Sequence, residues 1–82
     1  SPFPGAWTQI LGSNFTIKIF SAFYIESGTN SSIRFKIEKN KLMILIKDGY
    51  LEIDEIQIEG KKRMNSKEFI NGYRSYNNVE LY

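Results

Sequence analysis

Hydrophobic and polar positions alternate along most of the chain, which is the pattern of half-buried β-strands. The longest alternating stretch covers residues 15–26, where one parity carries Phe15, Ile17, Ile19, Phe23 and Ile25. A period of two over this length predicts a long strand with one buried face. In a small protein, such a long strand favours a sheet that bends around a barrel.

Shorter strand signals follow the same pattern. They cover residues 6–11, 33–38, 42–46 and 50–58. Lys39-Asn40 and Asp48-Gly49 are predicted hairpin turns, because Asn, Asp and Gly accept the backbone conformations that tight turns require. Residues 42–46 are apolar on both parities, which predicts a strand covered on both faces.

The strand at 50–58 changes phase along its length. Leu51 and Ile53 share one parity, whereas Ile56 and Ile58 take the other. One extra residue near Asp54-Glu55 would produce this shift, so a β-bulge is predicted there.

One short helix is signalled near the end of the chain. Asn65 is the predicted N-cap, and Glu68 stands three residues later, as in a capping box, with Met64 and Phe69 at the flanking staple positions. Gly72 is placed to end the helix. A helix of about two turns needs tertiary packing, so Phe69, Ile70 and Tyr73 are expected to contact the sheet. The tail at 75–82 is expected to add an edge strand.

These elements predict a mainly β protein with five or six strands and one short C-terminal helix. The fold expected is a small, partly open barrel of OB-like type, and the alternative is a sandwich with an appended helix. Eighty-two residues with 41% hydrophobic content provide one core, so residues 1–82 are expected to form a single domain.

Composition excludes several kinds of chemistry. The chain has no His and no Cys, which rules out Ser-His-Asp and Cys-His catalysis, disulfides and metal sites of the Cys/His type. No apolar run approaches the roughly 20 residues of a membrane span, so no membrane partner is expected, and a cysteine-free domain fits the cytoplasm. The net charge of +2 alone does not identify a nucleic-acid binder.

Three carboxylates lie close together at Glu52, Asp54 and Glu55. Paired carboxylates can perform acid–base catalysis. Charged strand positions normally face water, however, and a solvated acidic face is the favoured interpretation.

The sharpest charged feature is a basic run near the helix. Five of the eleven Lys and Arg residues fall within fourteen positions: Lys61, Lys62, Arg63, Lys67 and Arg74. Cations clustered at a turn suit phosphate groups. An ordinary solvated turn explains the same pattern equally well.

A second set of cations falls on predicted strands at Lys18, Arg34 and Lys36, with Lys47 as a further candidate. If those two strands pair, Phe20 and Tyr24 would line an outward face with these cations, and such faces bind single-stranded nucleic acid. The favoured alternative buries both aromatic residues under the helix or a neighbouring domain.

Phe3 and Trp7 stand beside two prolines at the start of the chain. Base stacking is one interpretation of these aromatic residues. An anchor that holds the amino end against the core is favoured over stacking.

Several segments together resemble the carboxy-terminal domain of methionyl-tRNA formyltransferases. They are PFPGAWT at 2–8, IKIF at 17–20, DGYLEIDEIQIEGKKRM at 48–64 and SKEFINGYR at 66–74. The feature most specific to this family is the combination, in this order, of PFPGAW, Gln57, GKKRM and the segment 69–72. The resemblance spans nearly the whole chain.

The resemblance implies an OB-like domain that belongs to a larger two-domain enzyme. In that family a Rossmann-type amino-terminal domain holds the catalytic Asn, His and Asp and takes the formyl group from 10-formyltetrahydrofolate, so no catalytic residue or cofactor is expected in this chain. The carboxy-terminal domain presents a basic surface to initiator tRNA. That role maps onto Lys61, Lys62 and Arg63, and by extension onto the other cations named above, except Lys47.

Two alternatives remain open from the sequence. Sugar-nucleotide formyltransferases carry the same domain type, and there the domain would be structural. A free-standing OB-like nucleic-acid-binding module is the other possibility.

Overall fold

The chain folds into one antiparallel sheet with a short helix. A computed structural model describes residues 6–9, 16–28 and 30–81. Its elements are β1 (Ala6–Gln9), β2 (Thr16–Glu26), β3 (Arg34–Glu38), β4 (Lys41–Ile46), β5 (Gly49–Ile58), β6 (Met64–Asn65), α1 (Ser66–Gly72) and a 3₁₀ turn (Arg74–Tyr76). The mainly β class with one short helix is therefore confirmed.

The strand order is β1-β2-β5-β4-β3, and β6 pairs with the end of β5. β1 and β3 form the two edges, so the sheet is open. The described strands make one sheet, not the two facing sheets of a sandwich, whereas the OB-like assignment stays a prediction. In the described residues no helix has both the length and the apolarity to cross a membrane.

The predicted hairpin turn at Lys39-Asn40 is present, whereas the second turn lies one residue earlier than predicted, at Lys47-Asp48, because Gly49 already pairs as part of β5. Lys39 and Asn40 both have positive φ, 51° and 61°, in the two-residue turn between β3 and β4, as in a type I′ turn. In the turn between β4 and β5 the positive φ falls on Asp48, at 68°.

The predicted bulge in β5 is present, and β2 is bulged at the same place. Ile19 pairs with Ile56 and Ala22 pairs with Ile53, but between these pairs Ser21 is the partner of Glu55. This pairing leaves Phe20 on β2 and Asp54 on β5 without a direct partner. Because each strand gains one unpaired residue, the register is the same on both sides of the bulge.

The bulge in β2 reverses which side of that strand faces the core. Ile17 and Ile19 are fully or almost fully buried, as the alternation predicted, but beyond Phe20 the buried residue is Ala22, at 0% exposure. Phe23 is 49% exposed. The prediction of one buried parity along 15–26 is therefore wrong after Phe20, because the extra residue shifts the alternation by one.

The core lies between the inner face of the sheet and α1. Phe69 and Ile70 are buried and Tyr73 packs partly buried against them, as predicted. The ring of Phe69 lies 5.4 Å from that of Phe35 and 5.1 Å from that of Tyr73, measured between centroids. These distances are typical of aromatic pairs that stabilise a core.

The predicted capping box holds the start of α1. The Asn65 side chain accepts a hydrogen bond from the Glu68 backbone nitrogen (2.8 Å), and the Glu68 carboxylate accepts one from the Asn65 backbone nitrogen (3.0 Å). The helix ends at Gly72, as expected.

The tail lies along the β3 edge. Backbone hydrogen bonds join Phe35 to Asn78 and Val79, and Ile33 to Leu81, and Arg34 forms a β-bridge with Glu80. The expected edge contact is present, as an isolated bridge instead of a regular strand.

Candidate nucleic-acid interface

The run Lys61–Arg63 leaves the end of β5 through a fixed turn. Gly60 has a φ of 81°, and the Lys61 backbone nitrogen donates to the carbonyl of Ile58 (2.9 Å). The side-chain amide of Gln57 donates to the Lys61 carbonyl oxygen (2.9 Å). The backbone of this basic run is thus held by the strand that precedes it, and all three basic residues are exposed.

Arg63 makes the closest contacts of the three. Its guanidinium donates to the Glu55 carboxylate (2.9 Å), and its central carbon lies 4.0 Å over the centroid of the Phe20 ring. The ammonium of Lys18 lies 5.0 Å from the same centroid. We call Lys18, Phe20, Glu55 and Arg63 the Phe20 cluster.

The bulge explains why this cluster forms. Phe20 is the unpaired residue on β2, and Glu55 adjoins the unpaired Asp54 on β5. β6 pairs with this part of β5, Glu55 with Asn65, and brings Arg63 alongside Glu55. Lys18 faces the same side because its register partner is Gln57, whose neighbours Ile56 and Ile58 point into the core.

Lys62 is held less closely. Its ammonium lies 3.9 Å from a Glu68 carboxylate oxygen, and the two side chains are 82% and 49% exposed. The other oxygen of Glu68 serves the helix cap. An exposed ion pair of this kind contributes little to the stability of the fold and leaves the charge of Lys62 accessible to solvent.

Lys61 differs from its two neighbours. Across the described ranges 6–9, 16–28 and 30–81, no ion pair includes it. It stands next to a depression of about 260 Å³ that Thr16, Lys18, Gln57, Glu59 and Gly60 line. The run therefore presents one cation without a carboxylate partner beside two that have one.

Arg34 and Lys36 do not join this surface. They lie on β3, and β5 and β4 separate that strand from β2. Three strand spacings amount to roughly 14 Å. The predicted face that combined Lys18 with Arg34 and Lys36 is wrong, because the two strands do not pair.

The surroundings of Arg34 and Lys36 also differ from those of the Phe20 cluster. Arg34 donates to the Ser32 hydroxyl (3.0 Å) and lies 4.0 Å from Glu80. Lys36 is half-buried and lines an outer-face depression of about 260 Å³ with Glu38. Both cations thus have acidic neighbours.

Tyr24 is likewise separate from Phe20. Its register partner on β5 is Leu51, beyond the bulge, and its hydroxyl donates to the Asp48 carbonyl (3.3 Å). At 41% exposure it is neither under the helix nor beside the basic run.

Lys67 and Arg74 are exposed and lie further along the chain. Lys67 is on α1 and borders a depression of about 350 Å³ with Asn40, Ile70 and Asn71. Arg74 opens the 3₁₀ turn, which contacts β3. Their part in a common interface with Lys61 stays a prediction.

The three carboxylates predicted to form a solvated face have separate partners. Glu52 lies 3.7 Å from the Lys41 ammonium, Asp54 accepts from the Ser21 hydroxyl (3.3 Å), and Glu55 binds Arg63. They do not form a shared acid–base pair. Phe3 and the side chain of Trp7 lie outside the described residues, so their predicted role stays untested.

The sequence does not reveal the partnership of Phe20, Glu55 and Arg63. Its one signal is the phase break at Asp54-Glu55, which by itself indicates a bulge in β5 alone. Gln57 stands out in the sequence only through the resemblance, and its hydrogen bond to Lys61 gives it a structural role.

Comparison with known families identifies the domain type. Residues 1–74 match the family model described as formyl transferase, C-terminal domain, and the chain belongs to this family.

Similar proteins carry the name methionyl-tRNA formyltransferase. The one from Koribacter versatilis is 43% identical in an alignment 77 positions long, which covers 90% of this chain and 23% of that protein. The one from Phocaeicola vulgatus is 34% identical in an alignment 90 positions long, which covers 99% of this chain and 26% of that protein. The chain thus spans about a quarter of the length of the curated relatives it matches.

Proposed function

We propose that this chain is the tRNA-docking domain of a methionyl-tRNA formyltransferase. The parent enzyme formylates initiator methionyl-tRNA with 10-formyltetrahydrofolate, in the cytoplasm, and the chemistry takes place in an amino-terminal domain of the same polypeptide. Family membership and the names of the relatives support this proposal. The observation that carries the docking role is the exposed basic run at 61–63, fixed beside Lys18 at one corner of the sheet.

In this proposal, no residue of this chain takes part in the formyl-transfer reaction. The sequence has no His for acid–base catalysis. In this proposal 10-formyltetrahydrofolate binds the amino-terminal domain of the parent enzyme, and no cofactor is assigned to this chain.

Phosphate docking follows from the chemistry of the basic run. Lys61 and Lys62 are flexible cations whose charges reach solvent, and such groups neutralise phosphates and release counterions. Contacts of this kind position the RNA without reading its sequence. With a net charge of only +2, the chain is expected to neutralise few phosphates and to bind weakly.

Titration of the 82-residue chain with initiator tRNA at about 50 and 200 mM salt tests this role. Three phosphate contacts would lower the affinity roughly 40-fold between these concentrations, since the logarithmic slope is about 0.9 per phosphate. Lys61→Ala should weaken binding and reduce the slope by about 0.9.

Lys47→Ala is the matched control. It removes the same charge from an exposed turn residue, at the opposite end of β5. Equal losses in the two variants would mean bulk attraction instead of docking at the basic run. An affinity for tRNA that does not change with salt concentration would contradict the proposal.

A structural domain of a sugar-nucleotide formyltransferase is the second candidate. It is favoured by the carboxylates of Glu55 and Glu68, which lie beside Arg63 and Lys62 and offset their charges. Replacing Lys61 and Lys62 by Ala in the parent enzyme separates the two candidates. The docking role predicts lost tRNA affinity with unchanged folate binding, whereas a structural role predicts no change in either.

A further inference from the structure

Arg63 is restrained more than an ordinary surface arginine. Its guanidinium is anchored to Glu55 at 2.9 Å and lies 4.0 Å over the Phe20 ring, although its side chain is 52% exposed. A hydrogen bond at one edge and a ring against one side together fix the position of this planar group. Lys61 and Lys62 have no comparable pair of contacts among the described residues.

The Phe20 ring is itself held at this place. Phe20 is the unpaired residue of the β2 bulge, half-buried, with the Lys18 ammonium 5.0 Å from its centroid. A bulge redirects a side chain from the regular face of a strand. The aromatic ring that supports Arg63 therefore belongs to the sheet and not to a mobile loop.

This arrangement suits stacking better than phosphate neutralisation. The central carbon of the guanidinium lies 4.0 Å over the Phe20 ring, and half of the side chain remains open to solvent. Planar, delocalised guanidinium groups stack on aromatic rings, and unpaired bases in RNA stack on arginine planes. A base inside a duplex has both faces covered by its neighbours, whereas an unpaired base can turn a face toward such a surface.

We propose that Arg63, supported by Phe20 and anchored by Glu55, binds one unpaired nucleobase of an RNA by stacking. This inference rests on the proposed docking function and names the part of the RNA that meets this corner of the sheet. Lys61, two residues before Arg63, reaches the phosphate next to that base. The contact is made with the flat face of the base, so the affinity depends little on which of the four bases is present.

Two RNA hairpins with the same stem and the same short loop test the proposal, because their unpaired loop bases then contribute equally to binding of both. One is blunt, and the other carries two unpaired 3′ nucleotides with 2-aminopurine as the first. The intact chain should prefer the second by about fivefold or more, since stacking is worth about 1–3 kcal/mol per base. The fluorescence of the 2-aminopurine should change on binding.

Arg63→Lys keeps the positive charge and removes the planar guanidinium group. It should abolish both the preference for the hairpin with unpaired nucleotides and the fluorescence change. Phe20→Leu should reduce the preference in the same direction, with circular dichroism confirming the fold. Lys62→Ala is the control, expected to weaken both hairpins equally.

The outcomes separate this inference from the docking function. Equal, salt-dependent binding of both hairpins by the intact chain would overturn stacking and leave docking standing. A preference retained in Arg63→Lys would also overturn it. Absence of binding to either hairpin and to tRNA would overturn both.

Discussion

At the scale of single residues, Gly49 allows two segments to approach closely. The sequence predicts it as a turn glycine, yet the positive φ of that turn belongs to Asp48. A Cβ at position 49 would lie against the backbone oxygen of Ile25, 2.8 Å from Cε1 of Tyr24 and 3.0 Å from its hydroxyl oxygen. The glycine is needed for space, because the end of β2 pairs beside it and brings Ile25 and the Tyr24 side chain close to this position.

Gly49→Ala is therefore expected to destabilise the fold by about 1–3 kcal/mol, since a backbone atom cannot move aside as a side chain can. Gly72→Ala is the matched comparison, because a Cβ added there would meet no atom within 4 Å and the residue ends α1 without a positive φ. That change should stabilise by roughly 0.5–1 kcal/mol. Urea denaturation of both variants measures the difference, and similar effects would show that the close approach is not tight.

At the scale of elements, the paired bulge in β2 and β5 determines both the core and the candidate interface. It turns Ala22 inward, leaves Phe23 49% exposed and sends Phe20 toward Arg63. Because both strands gain a residue, the later register is preserved and the sheet continues beyond the irregularity.

The stability of a Phe23→Ala variant distinguishes the bulged strand, in which Phe23 is exposed, from a strand with unbroken alternation, in which Phe23 would be buried. The structure predicts a loss of about 1 kcal/mol or less, as is usual for exposed positions. A Phe buried at that position would cost about 3–5 kcal/mol. Ile19→Ala, at a site only 3% exposed, should cost about 2–5 kcal/mol and serves as the comparison in the same denaturation experiment.

The limits of sequence interpretation follow from the same elements. The turn at Lys39-Asn40, the phase break in β5 and the capping box of α1 were predictable because each depends on residues close in sequence. The order of strands depends on long-range pairing, and local periodicity carries no information about it. Arg34 and Lys36 were therefore grouped wrongly with Lys18, and the contact of Phe20 with Arg63 was not foreseen.

At the scale of the whole molecule, the open sheet has its β3 edge partly covered by the tail. The backbone of Phe35 exchanges two hydrogen bonds with Asn78 and Val79 (2.8 and 2.9 Å), and Leu81 donates to Ile33 (2.8 Å). Leu81 is also 5% exposed within the core. Unpaired sheet edges pair readily with other chains. The tail, which lies beyond the family match at 1–74, protects this edge.

Removal of residues 77–82 should expose the β3 edge and the site of Leu81 together. We expect lower stability and concentration-dependent self-association, measured by denaturation and sedimentation velocity. Leu81→Ala separates the two effects, because it removes packing, at a cost of about 2–4 kcal/mol, and retains the backbone bonds. That variant should sediment like the intact chain. If the truncated chain also sediments like the intact one at every concentration, edge protection is not the role of the tail.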